Sequence, residues 1–173
     1  MREATPIMPT DAIVLLKNDH KEIRRLFREF DKAGDDATAT KGRLAKKIIE
    51  ELTVHTYIEN EVMYPEVRTL LPDLEDDILE SYEEHHVADV LVMELHVMEP
   101  DAERFVAKMT VLMENVKHHM VEEEDDWFPK VREGLGRKQL QELGAALEQS
   151  KKKAPRSPMA PSALKKAVDA IIA

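Results

Sequence analysis

Two histidine–glutamate pairs carry the chemistry of this sequence. A fourteen-residue pattern occurs twice, HTYIENEVMYPEVR from His55 to Arg68 and HMVEEEDDWFPKVR from His119 to Arg132. Each copy has a His, a Glu four residues on, an aromatic–Pro pair, then Val and Arg. Residues four apart stack on one helical face, so imidazole and carboxylate would be presented together. Iron, manganese and zinc all accept that ligand set. Two such pairs in one small helical protein point to a site for two metal ions.

The elements that must position these pairs are four long helical patterns. The first runs from about Thr10 to Ala33, capped by Thr10 or Asp11 and ended by Gly34-Asp35-Asp36. Its apolar line is Ile13, Leu16, His20, Ile23, Phe27 and Phe30, a heptad-like seam with one histidine in it. The second runs from about Thr38 to Leu70, with seam Leu44, Ile48, Leu52, His55, Glu59 and Val62. The third begins near Asp73 and ends near Glu99, with seam Ile78, Ser81, His85, Ala88, Val92 and Leu95. Pro100-Asp101 marks a break. The fourth reaches about Glu133, with seam Phe105, Met109, Leu112, Val116, His119, Glu123 and Trp127. Short connections make neighbouring helices antiparallel, so the expected fold is an all-α, antiparallel up-down four-helix bundle. Pro65 and Pro129 fall inside their helical patterns and should kink or interrupt them.

The expected organisation is a lead-in over residues 1–9, the bundle over 10–136, and an extension over 137–173. The extension reads as a short helix from Arg137 to Lys152, a Pro- and Lys-rich linker, KKKAPRSPMAPS, and a weakly amphipathic tail, SALKKAVDAIIA. The bundle itself is internally repeated. His20 to His85 is 65 residues and His55 to His119 is 64, and the apolar offsets after His20 recur after His85. Duplication of a helical hairpin would give approximate twofold symmetry.

Put around one axis, the four seams bring His20, His55, Glu59, His85, His119 and Glu123 to core positions. A buried ionised carboxylate costs several kcal/mol unless it is paired or ligates a metal. Two divalent ions bridged by the two carboxylates would offset that cost. The remaining composition excludes other chemistries. There is no cysteine, which rules out thiolate zinc sites and iron–sulfur clusters. A net charge of −10 argues against a nucleic-acid partner. No stretch approaches the ~20 apolar residues of a membrane span, and the N-terminus lacks an apolar region followed by a cleavage site. A cytoplasmic protein is the default.

On these residues, the chain over about 10–133 resembles the hemerythrin-like family, the HHE cation-binding domains. The resemblance rests on the lone His20 and His85, the His55-x3-Glu59 and His119-x3-Glu123 pairs, and the duplicated flanks. It implies a non-haem, oxygen-bridged di-iron centre, with Glu59 and Glu123 bridging two iron ions and the histidines as terminal ligands. One departure stands out. Oxygen-carrying members use five histidines, two of them one turn apart on the third helix, and no His-x3-His pair exists here. Asp89, Tyr82 or a water is left to fill that place, or one metal keeps an open position.

Other residues have plainer readings. Glu61 and Asp125 match each other in the repeat and read as part of the solvated acidic face, with hydrogen bonding to a metal ligand as the alternative. His85 is favoured over His86 because it preserves the offsets after His20. His118 lies about 100° round the helix from His119, and His96 sits at the far end of the bundle. Tyr57, Tyr64, Trp127 and Phe128 read as packing groups near the prolines.

The function that follows is binding of oxygen, peroxide or nitric oxide in sensing or in oxidative and nitrosative stress. One alternative is an enzyme using the same centre for peroxide disproportionation or nitric oxide reduction. Another is an iron-storage or structural-metal module that meets a protein partner through its C-terminal tail.

Overall fold

A computed structural model describes residues 10–163. The secondary structure of those residues is helical, with no strand among them. We label the helices α1 (Ala12–Lys32), α2 (Thr38–Ile58), α3 (Tyr64–Leu70), α4 (Glu75–Val97), α5 (Phe105–Glu122), α6 (Phe128–Gly134) and α7 (Arg137–Lys153). The pairs α2–α3 and α5–α6 are each one continuous rod, joined by π-helical turns at Glu59–Met63 and Glu123–Trp127. With α1 and α4 they form the antiparallel four-helix bundle.

The seams explain why. All six seam residues of α1 and all six of α4 are buried, as are all seven along α5 and its π turn. On the α2–α3 rod only the outermost two, Leu44 and Val62, are half-buried. Asp11 caps α1, its Oδ1 accepting from the Ile13 N–H at 2.9 Å. Arg132 reaches back from α6 to grip the same carboxylate at 2.9 and 3.0 Å.

Two apolar clusters divide the bundle lengthwise. One contains Ile23, Phe27, Leu52, Ala88, Leu112 and Val116. The other contains Leu16, Ile58, Met63, Ile78, Trp127 and Phe128. Along every seam the His and Glu residues fall between apolar residues of the two clusters, so the polar groups occupy one layer enclosed above and below.

Helix α7 completes the second cluster. Its Leu140, Leu143 and Leu147 are buried against Ala12, Leu15, Leu16 and Ile58, a contribution of about 1.5–3 kcal/mol per side chain before entropy. Gly144 permits the close approach: a Cβ there would lie 1.8 Å from the Thr10 carbonyl oxygen. Beyond α7, Pro155 and Pro158 are buried and Arg156 pairs with Glu50 of α2 at 2.5 Å. The linker therefore lies against the bundle. Nearly all of the amphipathic tail, residues 164–173, falls outside the described residues.

The prolines act differently from a simple kink. The expected interruption is a widened turn placed before each proline, not at it. In each turn an N–H addresses the carbonyl five residues back: Tyr64 to Glu59, and Phe128 to Glu123. In that register Pro65 would address the Asn60 carbonyl and has no N–H to offer. The Tyr82 hydroxyl donates to that carbonyl instead, at 3.4 Å.

Candidate metal centre

Each glutamate of the two pairs is the first residue of a π turn. Such turns recur at functional sites because they rotate a helical face out of its regular register. Here the turn keeps Glu59 and Glu123 in the core and re-aims the aromatic residue five positions on. Glu59 is 0% and Glu123 2% exposed, and His20, His55, His85 and His119 are buried beside them.

The six side chains converge as two linked sets. The Nε2 atoms of His20 and His55 lie 3.1 Å apart, and those of His85 and His119 lie 3.0 Å apart. The carboxylates join the two histidine pairs. Glu59 Oε2 is 3.2 Å from His55 Nε2 and 3.4 Å from His85 Nε2. Glu123 Oε2 is 3.2 Å from His20 Nε2 and 3.5 Å from His119 Nε2. Donor atoms of His20, His55, Glu59 and Glu123 lie within 4.8 Å of one another, and so do those of Glu59, His85 and His119. Glu123 Oε2 is buried, with the imidazole nitrogens of His20 and His119 facing it at 3.2 and 3.5 Å, the arrangement of an oxygen that would share a cation with them. The residues present therefore fit a pair of divalent ions.

The sequence profile of the hemerythrin HHE cation-binding domain matches residues 11–131. The chain belongs to the hemerythrin HHE cation-binding domain family. It is 25% identical over 138 residues to an uncharacterized hemerythrin-like protein of Schizosaccharomyces pombe, covering 79% of this chain and 67% of that one. It is 27% identical over 139 residues to a DNA nickase of Nostoc sp., covering 80% of this chain and only 38% of the nickase. Its fold resembles the crystal structure of a hemerythrin HHE cation-binding domain-containing protein from Mycobacterium kansasii. There the TM-score is 0.68 at 21% identity, covering 93% of this chain and 99% of that chain.

Each imidazole of this HHE domain turns its other nitrogen outward to an oxygen. His20 Nδ1 meets Glu124 Oε1 at 2.7 Å, and Arg24 donates to that same oxygen at 2.7 Å. His85 Nδ1 meets Asn60 Oδ1 and His119 Nδ1 meets Glu84 Oε2, both at 2.6 Å. His55 Nδ1 faces Asp19 Oδ2 at 3.7 Å. The three hydrogen-bonded partners would orient a ligating imidazole and raise its basicity, while Asp19 acts on His55 through its charge. They obey the internal repeat: Asp19 and Glu84 each precede a lone histidine, and Asn60 and Glu124 each follow a pair's glutamate. The repeat carries a polar residue at each of these positions, the one signal in the sequence that pointed to them. Helix periodicity alone could not find them, because these residues lie off the seams.

Tyr64 is the other residue the sequence did not reveal as part of the centre. It is fully buried, donates to Glu123 Oε1 at 2.9 Å, and sits 3.2 Å from His85 Nε2. Its repeat equivalent, Phe128, stacks on His20 with ring centroids 5.8 Å apart. The two histidine pairs are therefore inequivalent, since His85 has a phenol oxygen beside it and His20 an apolar ring.

Of the remaining candidates, His85 and not His86 enters the centre. His118 and His96 are exposed, as are Glu61 and Asp125. Tyr57 packs at the edge of the second apolar cluster.

The electrostatics are those of a core short of positive charge. Burial pushes the Glu123 carboxyl up, but the charge of His119 and the hydrogen bond and charge of His20 outweigh it and hold the group at about 2. Burial also opposes charge on His20 and His119, yet nearby carboxylates raise both, Glu123 and Glu124 for His20, and Glu123 and Glu84 for His119. For His55 burial prevails and the imidazole is lowered. Tyr64 is pushed well above the ordinary phenol value, by burial first and then by the charges of Glu123 and Glu59.

Proposed function

We propose that this HHE domain is a cytoplasmic non-haem protein holding two iron ions, and that it binds oxygen, peroxide or nitric oxide in sensing or stress protection. The observation that carries the reading is the pair of carboxylates, each lying between the two histidine pairs at 3.2–3.5 Å. His20 and His55 would hold one ion, His85 and His119 the other, and Glu59 and Glu123 would serve both. Bound iron would supply a redox couple and a position for a small oxygen or nitrogen ligand. The chain supplies the rest. Two apolar clusters enclose the layer above and below, three outward oxygens hold His20, His85 and His119 by hydrogen bonds, and Tyr64 offers an O–H beside His85 and Glu123. Manganese and zinc are accepted by the same ligands, so metal analysis of the isolated protein decides the ion. An absorption spectrum before and after peroxide decides whether it is redox-active. Two ions per chain with a peroxide-dependent spectral change supports the reading, and a metal-free, folded protein that takes up no iron defeats it.

A catalytic version is supported by Tyr64, whose hydroxyl could deliver a proton to a ligand at the centre. Consumption of peroxide or nitric oxide faster than by free iron is its test. The nicking activity of the Nostoc relative is not carried over, because this chain has a net charge of −10 and aligns with a minor part of that protein.

A further inference from the structure

The duplicated halves differ on one outer face. A cavity of about 270 Å³ opens to the surface beside α4 and the α5–α6 rod, with His119, Glu123 and Trp127 among its lining residues. Asp77, Glu80, Glu84, Glu122 and Asp126 also line it. Lys130 spans Asp77 and Asp126 at 3.0 and 2.6 Å, balancing part of that charge. In the first half the repeat-equivalent positions of Asp77, Glu80, Glu122 and Asp126 are Ala12, Leu15, Ile58 and Val62. Those four are apolar, and α7 covers that face. One copy of the face is thus closed with hydrocarbon, while the other is acidic and open down to two residues of the centre.

Surface acidity alone serves solubility and would not need to reach the core. A buried polar group on the lining points to something that enters. Trp127, 3% exposed, has an Nε1–H with no acceptor, and a hydrated cation would bring it an oxygen. At its rim, Glu84 and Glu122 of the lining meet the exposed His118, donor atoms of the three lying within 4.8 Å of one another.

We propose that this face is the loading route for divalent cations. The acidic rim concentrates them, Glu84, His118 and Glu122 hold one in transit, and His119 with Glu123 receives it. The inference rests on the two-metal reading and adds the path by which the ions arrive.

Trp127 is the single tryptophan of the chain, so its fluorescence reports arrival. Stopped-flow quenching of metal-free protein by cobalt(II) at low salt gives the loading rate, and metal analysis after dialysis gives the end-point. Glu80→Gln with Glu122→Gln should slow loading about tenfold and leave the final cobalt content unchanged. Glu103→Gln with Glu114→Gln removes equal charge from exposed positions that do not line this cavity and should leave the rate as it was. Equal rates in rim and control variants would overturn the route while the two-metal reading stands. If wild-type protein retains no cobalt at the end-point, that reading fails and the route with it.

Discussion

Tyr64 donates its hydroxyl hydrogen to Glu123 across the bundle, joining the first repeat to the second at 2.9 Å. The contact exists because the π turn re-aims the residue five places beyond Glu59. Tyr64→Phe keeps the ring packed and removes only the donor. The metal-free variant should lose about 1–2 kcal/mol in urea denaturation. In a stepwise metal titration both sets should lose affinity, since Glu123 would serve both ions, and the Glu59–His85–His119 set, whose His85 the phenol oxygen also adjoins, should lose more. Equal loss at both sets would contradict the inequivalence described above.

Glu59 belongs to both sets, whereas His20 belongs to one. His20→Ala should therefore leave about one ion per chain, while Glu59→Ala should remove nearly all bound metal. Elemental analysis of the purified variants, with circular dichroism to confirm helix content, separates the two. Identical metal content in the two variants would show that Glu59 does not serve both ions.

The protonation tendencies give the metal-free protein a stability maximum at mildly acidic pH. The Glu123 carboxyl is held near 2 against its usual 4.5. Its contribution is present above 4.5 and is lost as pH falls from there toward 2. Glu124 acts in the same sense, though solvent screens it more. His20 and His119 are raised above 6.5, so their contribution is present below 6.5 and is lost as pH rises through the raised values. His55 is lowered and works the other way, one imidazole against two. The urea midpoint should peak between about pH 4.5 and 6.5 and decline toward pH 8. Metal requires neutral imidazoles, so loading should move the optimum upward. Metal-free protein that is more stable at pH 8 than at pH 5.5 would contradict this.

Gly144 sits where α7 meets the start of α1. A methyl group there would meet the Thr10 carbonyl oxygen at 1.8 Å and the Ala12 nitrogen at 3.0 Å. Gly144→Ala should cost about 1–3 kcal/mol, lowering the Tm by roughly 2–4 °C for each kcal/mol. A thermal scan in which Tm holds or rises, as Ala's helix propensity alone would favour, would show that α7 docks less tightly than described.

How much could be read from the chain follows from what periodicity reports. It shows which residues share a face of one helix, and that placed His20, His55, Glu59, His85, His119 and Glu123 in a common core. The repeat then chose His85 over His86. Both steps need only the regular pitch of an α-helix and the cost of burying polar groups. Tyr64 escaped because its inward aim depends on a turn wider than that pitch, after which face arithmetic from Glu59 no longer holds. Asp19, Asn60, Glu84 and Glu124 escaped because they lie off the seams. Their contacts to the imidazoles depend on how neighbouring rods are rotated and staggered, which only the packed bundle decides. The closing of one acidic-equivalent face by α7, and the opening of the other, is likewise a matter of which surfaces meet in space.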